Sequence, residues 1–157
     1  MARDRDATGR ARNARARDEL GRPLPKGAPG VPRIAEDAVF TPREALTIGQ
    51  DLIDRGRAFH AHEVFEAMWK QADEQDRVLW RALAQLAVAI THLQRGNHKG
   101  ALALLQRSTE SIEPLGARYD VDTTGLVGYA DALMADIHAG VDIGAERLRP
   151  RVSIRHD

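Results

Sequence analysis

The chain has 157 residues and no cysteine, which excludes a disulfide framework, a thiolate zinc site, an iron–sulfur cluster and a cysteine nucleophile. With a polar N-terminal arm set aside, about 120 residues remain to build a core, enough for one domain without covalent staples. The formal net charge of zero conceals an asymmetry: residues 1–33 hold nine Arg and Lys against four Asp and Glu, the rest holds fourteen against nineteen, so the arm is +5 and the body −5.

In chain order, the start MARDRDATGR lacks the apolar run of a secretory signal, and the longest apolar-rich segment, Val78 to Leu93, is interrupted by Arg81, Gln85, Thr91 and His92. A cytoplasmic protein without membrane contact is therefore expected. Residues 1–40 read as an Arg/Pro-rich extended arm or strap, because GRPLPKGAPGVPR at 21–33 has four prolines and three glycines that disfavour helix and strand alike. Such an arm lies on its own acidic body, stays in solvent, or binds nucleic acid. Against the last, Asp4, Asp6, Asp18 and Glu19 dilute its charge, and it has no aromatic ring on which a base could stack.

The body, residues 41–140, opens at Thr41-Pro42-Arg43-Glu44, where a threonine N-cap, a proline at the first helical position and a glutamate three residues past the cap make a capping box. Ala45, Ile48, Leu52 and Ile53 keep helical spacing until Gly56. A second helix follows directly and ends near Lys70. A third runs from about Asp76 to Gln94 and is apolar around most of its circumference, as a central helix must be. Arg95-Gly96-Asn97 is a tight connection in which Gly96 ends one helix and Asn97 caps the next, over roughly 98–112, until Pro114 blocks continuation. A fifth helix spans about 123–138, with Leu126, Tyr129, Ala130, Leu133 and Ile137 inward, and stops at Gly140. Residues 141–157 form a basic tail, expected to be loose apart from one short helical turn. No segment alternates long enough to build a sheet, so the fold class is all-α: a compact bundle of about five helices with short connections.

The chemistry is concentrated in the second helix, FHAHEVFEAMWK at 59–70. On a helical wheel anchored at Phe59, Trp69 falls at about 280°, His62 at about 300° and Glu66 at about 340°. His62 and Glu66 are thus bracketed by two aromatics and expected to face the bundle, with Glu63 on the border and His60, at about 100°, toward solvent. On the third helix, Arg81, Gln85, Val88 and His92 share one stripe, so His62 and Glu66 are expected to meet Gln85 and His92 across the interface. His62-Glu63-Val64-Phe65-Glu66 is an HExxE pattern. The zinc-protease helix requires histidine at the last position, so that motif fails. His62, Glu66 and His92 still form a possible three-ligand set for a divalent metal, with Glu63 as general base. The alternative is a hydrogen-bonded core network or small ligand pocket of His62, Glu63, Glu66, Trp69, Gln85 and His92. No nucleophile at a telling spacing and no glycine-rich phosphate loop accompanies it. Trp69 and Trp80 read as core or rim packing, and Gly49 as a close helix approach.

The run AHEVFEAMW at 61–69 followed by QLAVAITHLQRGNHKGALALL at 85–105 resembles the small helical domain of unknown function 309, over about residues 41–137. The resemblance implies a helical bundle, and the family has no established activity, substrate or cofactor to carry over. The arm resembles the Arg/Pro-rich leader of actinobacterial members. His60 and Arg81 depart from the family's pattern, which sets both outside a shared site. The functional expectation is accordingly a non-catalytic binding or scaffold module with a polar His/Glu/Gln seam. The alternatives are a metal-dependent, hydrolytic enzyme and a nucleic-acid-associated protein using the arm. The apolar third helix leaves a homodimer interface open.

Overall fold

The computed structural model describes residues 17–24, 30, 34–35 and 37–154. Most of the basic residues of the arm, and so the expectation of a nucleic-acid contact there, lie outside the described residues. Five α-helices account for the body: α1 (Pro42–Asp54), α2 (Ala58–Gln71), α3 (Glu74–Gln94), α4 (His98–Ile112) and α5 (Thr123–His138), with single 3-10 turns at Glu113–Leu115 and Ala145–Leu148. The all-α expectation holds, since the only β features among the described residues are three isolated bridges.

Local chemistry sets the helix boundaries. The Thr41 hydroxyl accepts from Glu44 N at 3.1 Å while Glu44 accepts from Thr41 N at 2.9 Å, closing the capping box. Gly56 and Gly96 take φ of +76° and +79°, the left-handed geometry that ends α1 and α3. Asn97 and Asp122 cap α4 and α5 by accepting from Gly100 N and Gly125 N.

Short connections bring consecutive helices side by side: α3 packs along both α2 and α4, α1 covers the far side of α2, and α5 packs on α4. Gly49 on α1 makes the closest approach, because a Cβ there would fall 2.5 Å from Phe65 Cζ. Phe65, with no exposure, stacks on Trp80 at 6.3 Å between ring centroids, and Trp80 in turn stacks on Tyr119 at 6.3 Å. Trp80 is therefore core, whereas Trp69 is half-buried at the rim with the Arg77 guanidinium 5.3 Å from its ring centre.

Both chain ends depart from a plain bundle. The tail is no loose segment: Leu148, Pro150 and Val152 are buried, and Gln50 of α1 clamps them. The Gln50 Nε2 donates to Pro150 O at 3.0 Å, and its Oε1 accepts from Val152 N at 2.8 Å. Beyond the 3-10 turn that ends at Leu148, Pro150 and Val152 alternate with polar residues and turn inward, while Ile154 is exposed, so the segment packs as a short extended strap. At the other end, residues 17–24 form a tight loop in which the Asp18 carboxylate accepts from Leu20 N and Arg22 N, both at 2.9 Å. Arg95 Nε donates to Leu20 O at 3.0 Å, the Arg17 guanidinium stands 5.0 Å from the Phe59 ring centre, and Gly21 is buried so closely against Phe59 that any Cβ would overlap the ring.

Candidate functional site

A groove runs where α2, α3 and α4 meet, and three stripes of similar spacing build it. From α2 come His62, Glu66 and Trp69, from α3 Arg81, Ala84, Gln85 and Val88, and from α4 Leu104. Residues four and seven apart stack on one helix face. This half of the groove holds about 220 Å³. A second cavity of about 260 Å³ adjoins it, lined by Val78, Arg81, Gln85, Arg107, Glu110 and Ser111. Arg81 and Gln85 belong to both, so the two are halves of one trough: the first exposes mainly apolar surface, and the second is lined by Val78 and five polar residues that offer polar and apolar surface in similar measure.

His62 and Glu66 sit on one wall as a pair. His62 Nε2 lies 2.7 Å from Glu66 Oε2, and its Nδ1 lies 3.1 Å from Phe59 O. The hydrogen bond from His62, first, and the charges of His62 and Lys70 hold the Glu66 carboxyl down at about 2, against the opposing effect of burial. Lys70 Nζ lies 3.4 Å from Glu66 Oε1, which engages the second carboxylate oxygen.

Gln85 lines both halves of the groove, and its side-chain oxygen is buried with no hydrogen-bond donor among the described residues. Buried polar atoms are rarely left unpaired, which sets this amide apart from the satisfied pair on the wall.

Two expectations need correction. His60 is not on the solvent side: it is 1% exposed. Phe59 and Trp69, the rings that bracket His62 and Glu66 on the helical wheel, are both only half-buried, whereas Ala58, Ala61, Val64, Phe65 and Met68 are buried. Because α1 and α3 cover α2 from two sides, its buried arc is wide enough to include His60, and His62 and Glu66 fall on its margin with side chains 19% and 39% exposed. Second, the seam does not run on to His92. The Asn97 oxygen caps α4 by accepting from Gly100 N, so its Nδ2 faces the His92 ring at 3.1 Å and donates to Nδ1. Burial, first, and the charge of Arg95 lower the His92 pKa, in keeping with a neutral ring.

His62 faces Glu66 and the Phe59 carbonyl, His92 faces Asn97 and not the groove, and among the described residues no three His, Cys, Asp or Glu stand together to hold a metal ion. Glu63, half-buried, lies off the groove. Sequence reasoning missed Leu104 and Arg107 and set Arg81 aside, although Arg81 lines both halves. The signal for the α4 residues was the spacing of Leu104, Arg107 and Ser111, which mirrors the stripes on α2 and α3.

Residues 46–104 match the family model of the domain of unknown function DUF309. The DUF309 match is narrower than the resemblance over 41–137, yet it contains His62, Glu63, Glu66, Trp69, Gln85, His92 and the Arg95-Gly96-Asn97 turn. It ends at Leu104, so the DUF309 segment supplies the apolar half of the groove, while Arg107, Glu110 and Ser111 follow it in the chain. No curated protein and no solved structure matches the chain. Among the described residues no helix is long and apolar enough to cross a membrane.

Proposed function

We propose that the protein is a non-catalytic binding module that takes a small ligand in the trough between α2, α3 and α4. The observation that carries this reading is Gln85: a buried amide oxygen without a donor, lining both halves of a groove shared by apolar and polar walls. The amide can accept from a ligand or, turned over, donate to one. Each half of the trough is smaller than an ordinary ligand pocket, and the two joined fall inside the range of roughly 300–1,000 Å³ typical of such sites. The His62–Glu66–Lys70 chain serves as a stiff wall. Its groups satisfy one another, which suits positioning better than proton transfer.

The test is a fragment screen by saturation-transfer NMR on the full chain and on Ala84→Trp, which fills the apolar half. The reading expects a family of fragments that bind the natural chain and are lost from the variant. Fragments that bind both proteins alike would refute it.

A further inference from the structure

The charges along the trough are unevenly paired. Glu66 is engaged on both oxygens, by His62 at 2.7 Å and Lys70 at 3.4 Å, and Glu110 accepts from Gln106 at 3.2 Å. Arg81 and Arg107, in contrast, line the polar half with no carboxylate within ion-pair distance among the described residues. Arg55, Arg118 and Arg147 pair with Asp51, Asp76 and Asp136, whereas the exposed or half-exposed Arg43, Arg149 and Arg151, like the trough pair, have no ion-pair partner among the described residues but line no cavity with a second arginine. Arg107 thus stands at one end of a groove whose other end is formed by Trp69, Ala84, Val88 and Leu104, and Arg81 lines both halves between them.

We propose that the ligand is an amphipathic anion, a small molecule with one carboxylate or phosphate head held by Arg81 and Arg107 and an apolar body laid against Trp69, Val88 and Leu104. This rests on the reading of the trough as a ligand site and adds the chemical class. A guanidinium fork matches the planar oxygens of a carboxylate or the face of a phosphate and binds either in pairs of hydrogen bonds. The apolar wall supplies the favourable transfer of the ligand body out of water. Gln85 lies between the two ends, and its amide, turned nitrogen-first, adds a neutral donor beside the head group. A cation would meet Arg81 and Arg107 against the one carboxylate of Glu110 in this half, and the Glu66 carboxylate on the wall is already engaged by His62 and Lys70.

The experiment uses the full chain and four probes of equal chain length: octanoate, octyl phosphate, octan-1-ol and octylammonium. Binding is read from the indole N–H resonance of Trp69, distinguished from that of Trp80 by the spectrum of Trp69→Phe. The expected result is that at least one anion binds about tenfold more tightly than octan-1-ol, a difference of about 1.4 kcal/mol, and that octylammonium binds most weakly. The ratio of octanoate to octyl phosphate identifies the head group. In Arg81→Ala/Arg107→Ala, both exposed positions, the anion advantage disappears while octan-1-ol binds as before. Equal binding of alcohol and anions, a preference for octylammonium, or an anion preference that survives the double substitution would overturn the ligand class and leave the trough as a site. If no probe moves the Trp69 resonance, the ligand class and the reading of the trough fall together.

Discussion

Replacing Gln50 should release the C-terminal strap, and the size of the effect follows from what its amide holds. Gln50 is 5% exposed and makes three well-formed bonds: Nε2 to Pro150 O at 3.0 Å and to Asp54 Oδ1 at 2.9 Å, and Oε1 from Val152 N at 2.8 Å. Asp54 is exposed and water replaces that partner at little cost. Pro150 and Val152 are buried, so each would keep an unpaired backbone group, at about 1–3 kcal/mol apiece. Gln50→Leu preserves most of the side-chain volume and isolates this loss, and its expected cost is about 2–6 kcal/mol. With a urea m-value of about 2 kcal/mol/M, the unfolding midpoint falls by roughly 1–3 M. Amide exchange at Val152 should rise together with this loss. A Gln50→Leu protein within 0.5 kcal/mol of the natural chain, on the order of an ordinary surface substitution, with Val152 still protected, would refute the clamp.

Three further outcomes follow from the same structure. The Glu66 carboxyl is depressed to about 2 from its ordinary 4.5 by the His62 hydrogen bond first and the Lys70 charge after it, so its contribution is present above about pH 4.5 and is lost as the pH falls toward 2. Because the side chain is 39% exposed, solvent screening reduces the contribution to about 1 kcal/mol, and urea unfolding at pH 6 and pH 3 should show a pH-dependent difference of that size between the natural chain and Glu66→Gln; parallel behaviour would count against the pair. Gly49→Ala drives a Cβ into Phe65, and an overpacking cost of about 2 kcal/mol less about 1 kcal/mol of helix propensity leaves a Tm lower by roughly 4 °C; an unchanged or higher Tm would show that Phe65 can give way. Arg95→Ala and Gly21→Ala each remove one fixture of the N-terminal loop, so the amide order parameter of Arg22 should drop below about 0.6 in both, with global stability changed by less than about 1 kcal/mol; a rigid loop in both variants would mean that other contacts hold it.

The parts of this fold that are written locally were legible in the sequence. The Thr41–Glu44 capping box, the Gly96 stop and the Asn97 cap are each decided within four residues, so the bounds of α1 and α4 follow from the letters alone. The buried arc of α2 was not. It depends on two neighbours that cover the helix from different sides, and the large rings of Phe59 and Trp69 mark the edge of that arc and not its centre. The tail had a signal that composition masked: Leu148, Pro150 and Val152 alternate, but the arginines between them suggest solvent until Gln50, a hundred residues earlier, is seen to bond the backbone. At the site, His62, Glu66 and Gln85 could be singled out because polar residues interrupt apolar helices. Arg81, Leu104 and Arg107 could not, because an exposed arginine or an inward leucine is ordinary until three helices place it beside a groove.

The central claim is that the trough between α2, α3 and α4 receives a ligand, and the most direct measurement is the set of nuclear Overhauser contacts between the protein and octanoate at a saturating concentration. The account predicts contacts from the octanoate methyl and methylene protons to Trp69, Val88 and Leu104, with the carboxylate end nearest Arg81. Contacts confined to other surfaces, or none at a concentration that saturates the free resonance shift, would contradict it.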